Sequence, residues 1–179
     1  MVNLMKKEEP MRLLFYTVLT MSLSPIWPLG QNPLPGDPYV IINKQTNELA
    51  YIDHGKIQKV YPASTGKTAD LTPEGEFTIM IKAKDPYYRR KNIEGGAKNN
   101  PLGRRWIGFD ARGTDGRTYG IHGTSDETSI GKFITAGCVR LHNQDVERLF
   151  DQLPVGTKVW ITTSSDAFEK LAKDKQAIR

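Results

Sequence analysis

From Tyr39 onward, short β-branched and aromatic runs are separated by turns rich in Asn, Asp and Gly, and this spacing constrains the fold more than any other feature. Tyr39-Val40-Ile41-Ile42 precedes a turn over residues 43–47, and Leu49-Ala50-Tyr51-Ile52 follows it. Asp53-His54-Gly55 makes a second turn before Lys56-Ile57-Gln58-Lys59-Val60-Tyr61. Such short runs joined by turn residues predict an antiparallel meander. A strand over residues 75–81 would put Phe77, Ile79 and Ile81 on one face. Residues 106–109 and 118–121 also read as strands, the second delivering His122 at its end. Asn143 is the expected N-cap of a helix with Val146, Leu149, Phe150 and Leu153 at helical spacing, stopped by Pro154-Val155-Gly156. Residues 158–162 form a closing strand, and residues 164–179 are a tail with a helical pattern. The reading is mostly β with one or two helices, its chemistry on loops at strand ends. One long loop, residues 85–103, has few apolar positions and is of a length that commonly serves function.

At 179 residues the chain has room for one domain and a short extension. With 38% apolar residues it is too apolar for a disordered chain. The net charge of +5 suits an anionic partner such as nucleic acid, a lipid headgroup layer or an anionic cell wall. The basic residues are scattered, however. The densest run, with Arg89-Arg90-Lys91 and Arg104-Arg105, reads as a solvated loop and not a nucleic-acid site.

Lys6, Lys7 and Arg12 precede the apolar stretch Leu13-Leu14-Phe15-Tyr16-Thr17-Val18-Leu19, which continues to Ile26-Trp27. A basic flank before a short apolar segment has the form of a secretory signal. Pro25 and Pro28 break it before it reaches the roughly 20 apolar residues of a spanning helix. The expected organisation is a signal peptide or membrane anchor over residues 1–30, a linker over 31–38, a folded domain over 39–163 and the tail. Any membrane contact would come through that anchor.

Cys138 is the single cysteine, so the chain has no internal disulfide. A free thiol in an exported protein is a liability unless it is used. It lies in Thr135-Ala136-Gly137-Cys138-Val139-Arg140, sixteen positions after His122. Arg140 is expected to lower the pKa of the thiol, and His122 can serve as a base if the fold brings it close.

Tyr119-Gly120-Ile121-His122-Gly123-Thr124, Ser129-Ile130-Gly131 and the run Thr135 to Asp145 resemble the active-site signature of L,D-transpeptidase (YkuD-like) catalytic domains. Upstream, Ser64-Thr65-Gly66, Thr72-Pro73-Glu74-Gly75 and Asn100-Pro101-Leu102-Gly103 resemble the same family. The resemblance implies a β-sandwich-like L,D-transpeptidase catalytic fold, peptidoglycan stem peptides as substrate, no cofactor, and a place in the cell wall, periplasm or outer face of the membrane. Cys138 would be the nucleophile that forms a thioester with a tetrapeptide donor. His122 would manage protons, with the Gly123 carbonyl orienting its ring, and 3-3 cross-links would result. Backbone N–H groups near Gly137 and Cys138 would hold the oxyanion. Arg140 would bind a carboxylate, and Tyr119 and Asn143 would line the substrate side. The sequence departs from the family at Thr135-Ala136, where many members have serine and histidine.

Three alternatives stand beside this reading. Water in place of the acceptor amine would make the chain an L,D-carboxypeptidase-like stem hydrolase. Cys138 and His142, with His122 and Asp126 or Glu127, have spacing that permits a zinc site. A non-enzymatic wall-binding module would use only the basic surface. Arg140 could pair with Asp145 instead of substrate; His142 and the exposed turn residue His54 read as structural, and Trp106 as core or pocket wall.

Overall fold

The computed structural model of the protein describes residues 34–179. The expected signal or anchor segment, residues 1–30, and the first residues of the expected linker lie outside the described part. Strands β1 (Tyr39–Asn43), β2 (Glu48–Asp53) and β3 (Lys56–Pro62) form the expected antiparallel meander. Every residue of β1 is buried, which explains its continuous apolar run. Its second edge pairs in parallel with β10 (Lys158–Thr162), from Tyr39 opposite Lys158 to Asn43 opposite Thr162. One face meets the main core; the other packs Tyr39, Ile41, Ala50 and Ile52 against Leu171 and Ala172 of the tail helix (Phe168–Asp174).

Strand β5 (Gly75–Lys84) joins the two halves of the sheet. Its first residues pair with β10, and those from Ile79 onward pair with β6 (Arg105–Phe109) across a register shift between Ile79 and Ile81. Phe77 and Ile79 meet the same core as expected, whereas the irregularity that follows leaves Ile81 outside that cluster. Ile79 is buried while its two partners are only partly so. Beyond β6 lie β7 (Tyr119–His122) and β9 (Val139–Arg140), giving the order β3-β2-β1-β10-β5-β6-β7-β9. A separate parallel pair joins β4 (Thr65–Gly66) to β8 (Phe133–Thr135). These short strands β4, β8 and β9 are too brief for a sequence pattern to register.

Helix α1 (Asn143–Gln152) packs Val146, Leu149 and Phe150 against Ile107, Ile121, Val139 and Leu141. Burying a side chain of this size stabilises by about 1.5–3 kcal/mol. This burial fixes which way β6, β7 and β9 present their alternate residues. With Ile107, Ile121 and Val139 turned into the core, Trp106, His122 and Arg140 must face the other side. Asn143 is the first residue of the helix and not its cap. His142 holds the cap position, with no side-chain cap bond. The tail helix, α2, is the one expected after residue 164. Among the described residues no helix is long and apolar enough to cross a membrane.

Candidate active site

Strands β7 and β9 run parallel, with Ile121 opposite Val139 and His122 opposite Arg140. Cys138 enters β9 one residue before the buried Val139, so by alternation it shares the face of His122 and Arg140. Two residues of offset on adjacent strands separate the Cys138 and His122 backbones by roughly 8 Å, within reach of their side chains. The Cys138 sulfur contacts the Thr118 carbonyl at 3.5 Å and receives the Gly120 N–H, both at the start of β7. The charge of Arg140 acts on both the thiol and the imidazole. Cys138 and His122 therefore share one site, and Cys138 is partly exposed there.

His122 is 4% exposed. Its Nδ1 lies 2.6 Å from the Gly123 carbonyl, which can only accept, so Nδ1 carries the proton and Nε2 has a free lone pair. The Trp106 ring covers the imidazole, centroid to centroid 5.7 Å, and its Nε1–H donates to the Gly116 carbonyl at 2.8 Å. Burial pushes His122 down to about 4 and the Cys138 thiol up to about 11. The positive charges of Arg90 and Arg140 oppose the shift at Cys138 but do not outweigh desolvation. Arg140 lowers the thiol pKa as expected, but desolvation is larger and the net shift is upward. At neutral pH the pair is thiol and imidazole, not thiolate and imidazolium. Arg90 sits on a one-turn 3₁₀ helix (Arg89–Lys91) in the long loop; all three residues are exposed as expected, and the Arg90 charge is felt at Cys138.

The turn before Cys138 is held from several sides. Gly137 has a φ of +131°, and a Cβ there would meet the Leu71 carbonyl at 2.5 Å and the Tyr119 ring at 3.2 Å. Its carbonyl accepts from Thr72 Oγ1, and its N–H donates to Thr135 Oγ1 at 3.1 Å. Thr135 Oγ1 in turn donates to the Cys138 carbonyl at 2.6 Å. The Gly137 N–H is therefore turned toward the Thr135 hydroxyl in this structure. The Cys138 N–H has no hydrogen-bond partner among the described residues. Tyr119 is partly buried under Arg112, whose guanidinium lies 5.8 Å from the ring centre.

Arg140 does not pair with Asp145, which instead meets Lys59 at 3.1 Å. Arg140 Nη1 donates to Ser129 Oγ at 2.9 Å, while its buried Nε has no partner. The Arg140 and Ser64 backbones exchange two hydrogen bonds of 2.8 and 2.9 Å. Ser64 Oγ donates to the Ser129 carbonyl at 2.6 Å. The Ser64, Thr72 and Ser129 segments singled out in the sequence thus support the strand that carries Cys138. Sequence reasoning left undecided Trp106, whose register opposite His122 could not be read from a linear pattern. His142 bonds Glu127 at 2.5 Å and His54 is exposed, both as expected. Among the described residues no group of three or more His, Cys, Asp or Glu side chains is placed to hold a metal ion. The zinc alternative built on Cys138, His142 and His122 is therefore set aside.

The family model described as the L,D-transpeptidase catalytic domain, YkuD, matches residues 37–161. The chain belongs to the L,D-transpeptidase family. It is 61% identical over 164 residues to a Bacillus subtilis protein named as L,D-transpeptidase YqjB, covering 92% of this chain and 93% of that one. In structure it resembles an L,D-transpeptidase from Mycobacterium smegmatis with a TM-score of 0.56 at 19% identity, over 70% of this chain and 58% of that one. It also resembles the catalytic domain of the Enterococcus faecium L,D-transpeptidase, solved acylated by ertapenem. That match has a TM-score of 0.55 at 21% identity over 71% of this chain and 98% of that one. The curled, mostly β architecture with two helices is that of L,D-transpeptidase catalytic domains, and the chain is an enzyme of this kind.

Proposed function

We propose that this L,D-transpeptidase is an exported acyl-transferase of peptidoglycan that works through a Cys138 thioester and makes 3-3 cross-links between stem peptides. The observation that carries the reading is one shared face: Cys138 diagonal to His122 across β7 and β9, with the His122 Nδ1–H tied to Gly123 and Nε2 free.

The residues then have these parts. His122 Nε2 takes the thiol proton as Cys138 Sγ attacks the carbonyl carbon of the donor's third residue, forming the C–S bond. Both groups begin neutral, so proton transfer accompanies attack. The Cys138 N–H faces the developing oxyanion. When the tetrahedral intermediate collapses, the bond to the fourth residue breaks and His122 returns the proton to the leaving amine. An acceptor amine then attacks the thioester, gives a proton to His122, and the thiol is restored with that proton. Arg90 and Arg140 supply positive charge for a stem carboxylate. Gly123 orients His122, Gly137 gives the turn its conformation, and Tyr119 lines the groove beside it. What supports export is the sequence alone, in the basic flank and apolar segment before residue 30. The enzyme would then act at the wall, in the periplasm or on the outer face of the membrane.

The E. faecium domain is acylated by ertapenem, and the same acylation is expected here on Cys138. The test is the product mixture from purified enzyme with tetrapeptide donor and an amine acceptor, separated by mass spectrometry. Cross-linked dimer as the main product supports transpeptidation. Tripeptide alone would make the chain a stem hydrolase.

A further inference from the structure

We infer that Asn143 is a positioning residue that fixes the tautomer of His122 by clamping the peptide unit between Gly123 and Thr124, and is not a wall of the substrate groove. The inference rests on the reading of His122 as the proton carrier and goes beyond it.

A peptide unit is planar, so its C=O and N–H move together. The unit after Gly123 has the Gly123 carbonyl at one end, taken by His122 Nδ1–H at 2.6 Å. At its other end the Thr124 N–H donates to Asn143 Oδ1 at 3.2 Å. Turning this plane would break both bonds at once. Asn143 also holds the next unit, since its Nδ2 donates to the Thr124 carbonyl at 2.7 Å. Glu127 Oε1 accepts from the same Nδ2 at 2.7 Å and so decides which end of the amide faces the Thr124 N–H.

Close approach is built in on both sides. A Cβ on Gly123 would lie 2.2 Å from Asn143 Oδ1. A Cβ on Gly103, at the end of the long loop, would meet Asn143 Oδ1 at 2.3 Å and the Thr124 nitrogen at 2.5 Å. The Gly123–Thr124 turn is therefore wedged between the Gly103 backbone and the start of α1. Asn143 reaches the imidazole only through this peptide unit. Without it, the Gly123 carbonyl is free to turn from the ring, and the imidazole proton can move to Nε2, where it blocks the base.

The test is ¹⁵N nuclear magnetic resonance of histidine-labelled full chain, which reports the protonated ring nitrogen of His122 without any substrate. Wild type should show protonated Nδ1. Asn143→Ala should show a mixture of tautomers, with ertapenem acylation slowed roughly 10–100-fold, the range for lost orienting partners of a site histidine. The concentration giving half-maximal rate should stay within about twofold, since substrate binding is not touched. Glu127→Ala removes the support of the amide, together with its bonds to His142 and the Asn143 N–H, while leaving both Asn143 contacts to Thr124 in place, and should shift both readouts in the same direction by less. It decides the matter if Asn143→Ala does not fold. Pure Nδ1–H tautomer in both variants, or a loss confined to the half-maximal concentration, would overturn the inference. Failure of wild type to acylate with its tautomer intact would count against the proposed function instead.

Discussion

Trp106 and His122 lie ring over ring, their planes inclined by 14°, because they occupy opposed register positions on β6 and β7. The indole shields one face of the imidazole from water, and its N–H fixes it to the Gly116 carbonyl. Trp106→Phe keeps an aromatic cover but leaves that carbonyl without its donor, at a cost of about 1–3 kcal/mol. Trp106→Ala removes the cover and opens a cavity, costing about 3–5 kcal/mol. Urea unfolding should rank the variants in that order, and the alanine variant should also acylate more slowly. Equal acylation rates in all three proteins would show that the stack does not serve His122.

The neutral thiol has a direct chemical signature. Alkylation by iodoacetamide reads the fraction of thiolate, so its rate for Cys138 should rise with pH toward a midpoint near 11. An activated thiolate would instead give a midpoint at or below pH 7 and a flat profile above it.

His122 should make the fold weaker in acid. In the unfolded chain an imidazole takes its proton near 6.5, whereas buried His122 takes it near 4. Between these values the unfolded state binds more protons, so the unfolding free energy falls as pH falls. The loss from this group amounts to about 3 kcal/mol and stops below pH 4. Urea titrations at pH 7, 5.5 and 4 should show it in wild type and not in His122→Gln. The same decline in both proteins would place the acid sensitivity elsewhere.

Gly137 should tolerate no side chain. Gly137→Ala puts a Cβ against the Leu71 carbonyl and forces alanine into a φ of +131°. The strain costs on the order of 1–3 kcal/mol, and displacement of the next residue should lower acylation at least ~100-fold. Its exposed neighbour offers the contrast: Ala136→Ser should change stability by no more than about 0.5 kcal/mol. A Gly137→Ala variant as active as wild type would mean that the turn does not place Cys138.

Much of this was legible in the chain before any coordinates. The meander of β1 to β3, α1 with its apolar stripe, and the pairing of Cys138 with His122 were all readable from local pattern and the resemblance. What escaped has physical reasons. Strands of two or three residues such as β4 and β9 have no period to detect. The parallel pairing of β1 with β10 joins residues more than a hundred positions apart. Arg140 was expected to activate the thiol because charge is visible in a sequence, whereas the desolvation that outweighs it depends on packing. Asn143 was expected to cap α1, but its side chain is spent on the Thr124 backbone and on Glu127. Its partners come from a loop nearly twenty residues upstream, where spacing gives no hint of contact.

The account stands or falls on the sulfur of Cys138 becoming acylated beside His122. The most direct measurement is the intact mass of full-length enzyme incubated with a tetrapeptide donor, followed by peptide mapping. A single adduct with the mass of the donor less the free amino acid released from its fourth position, on Cys138 and absent from Cys138→Ala, is the predicted result. An adduct at another residue, or turnover retained by Cys138→Ala, would contradict it.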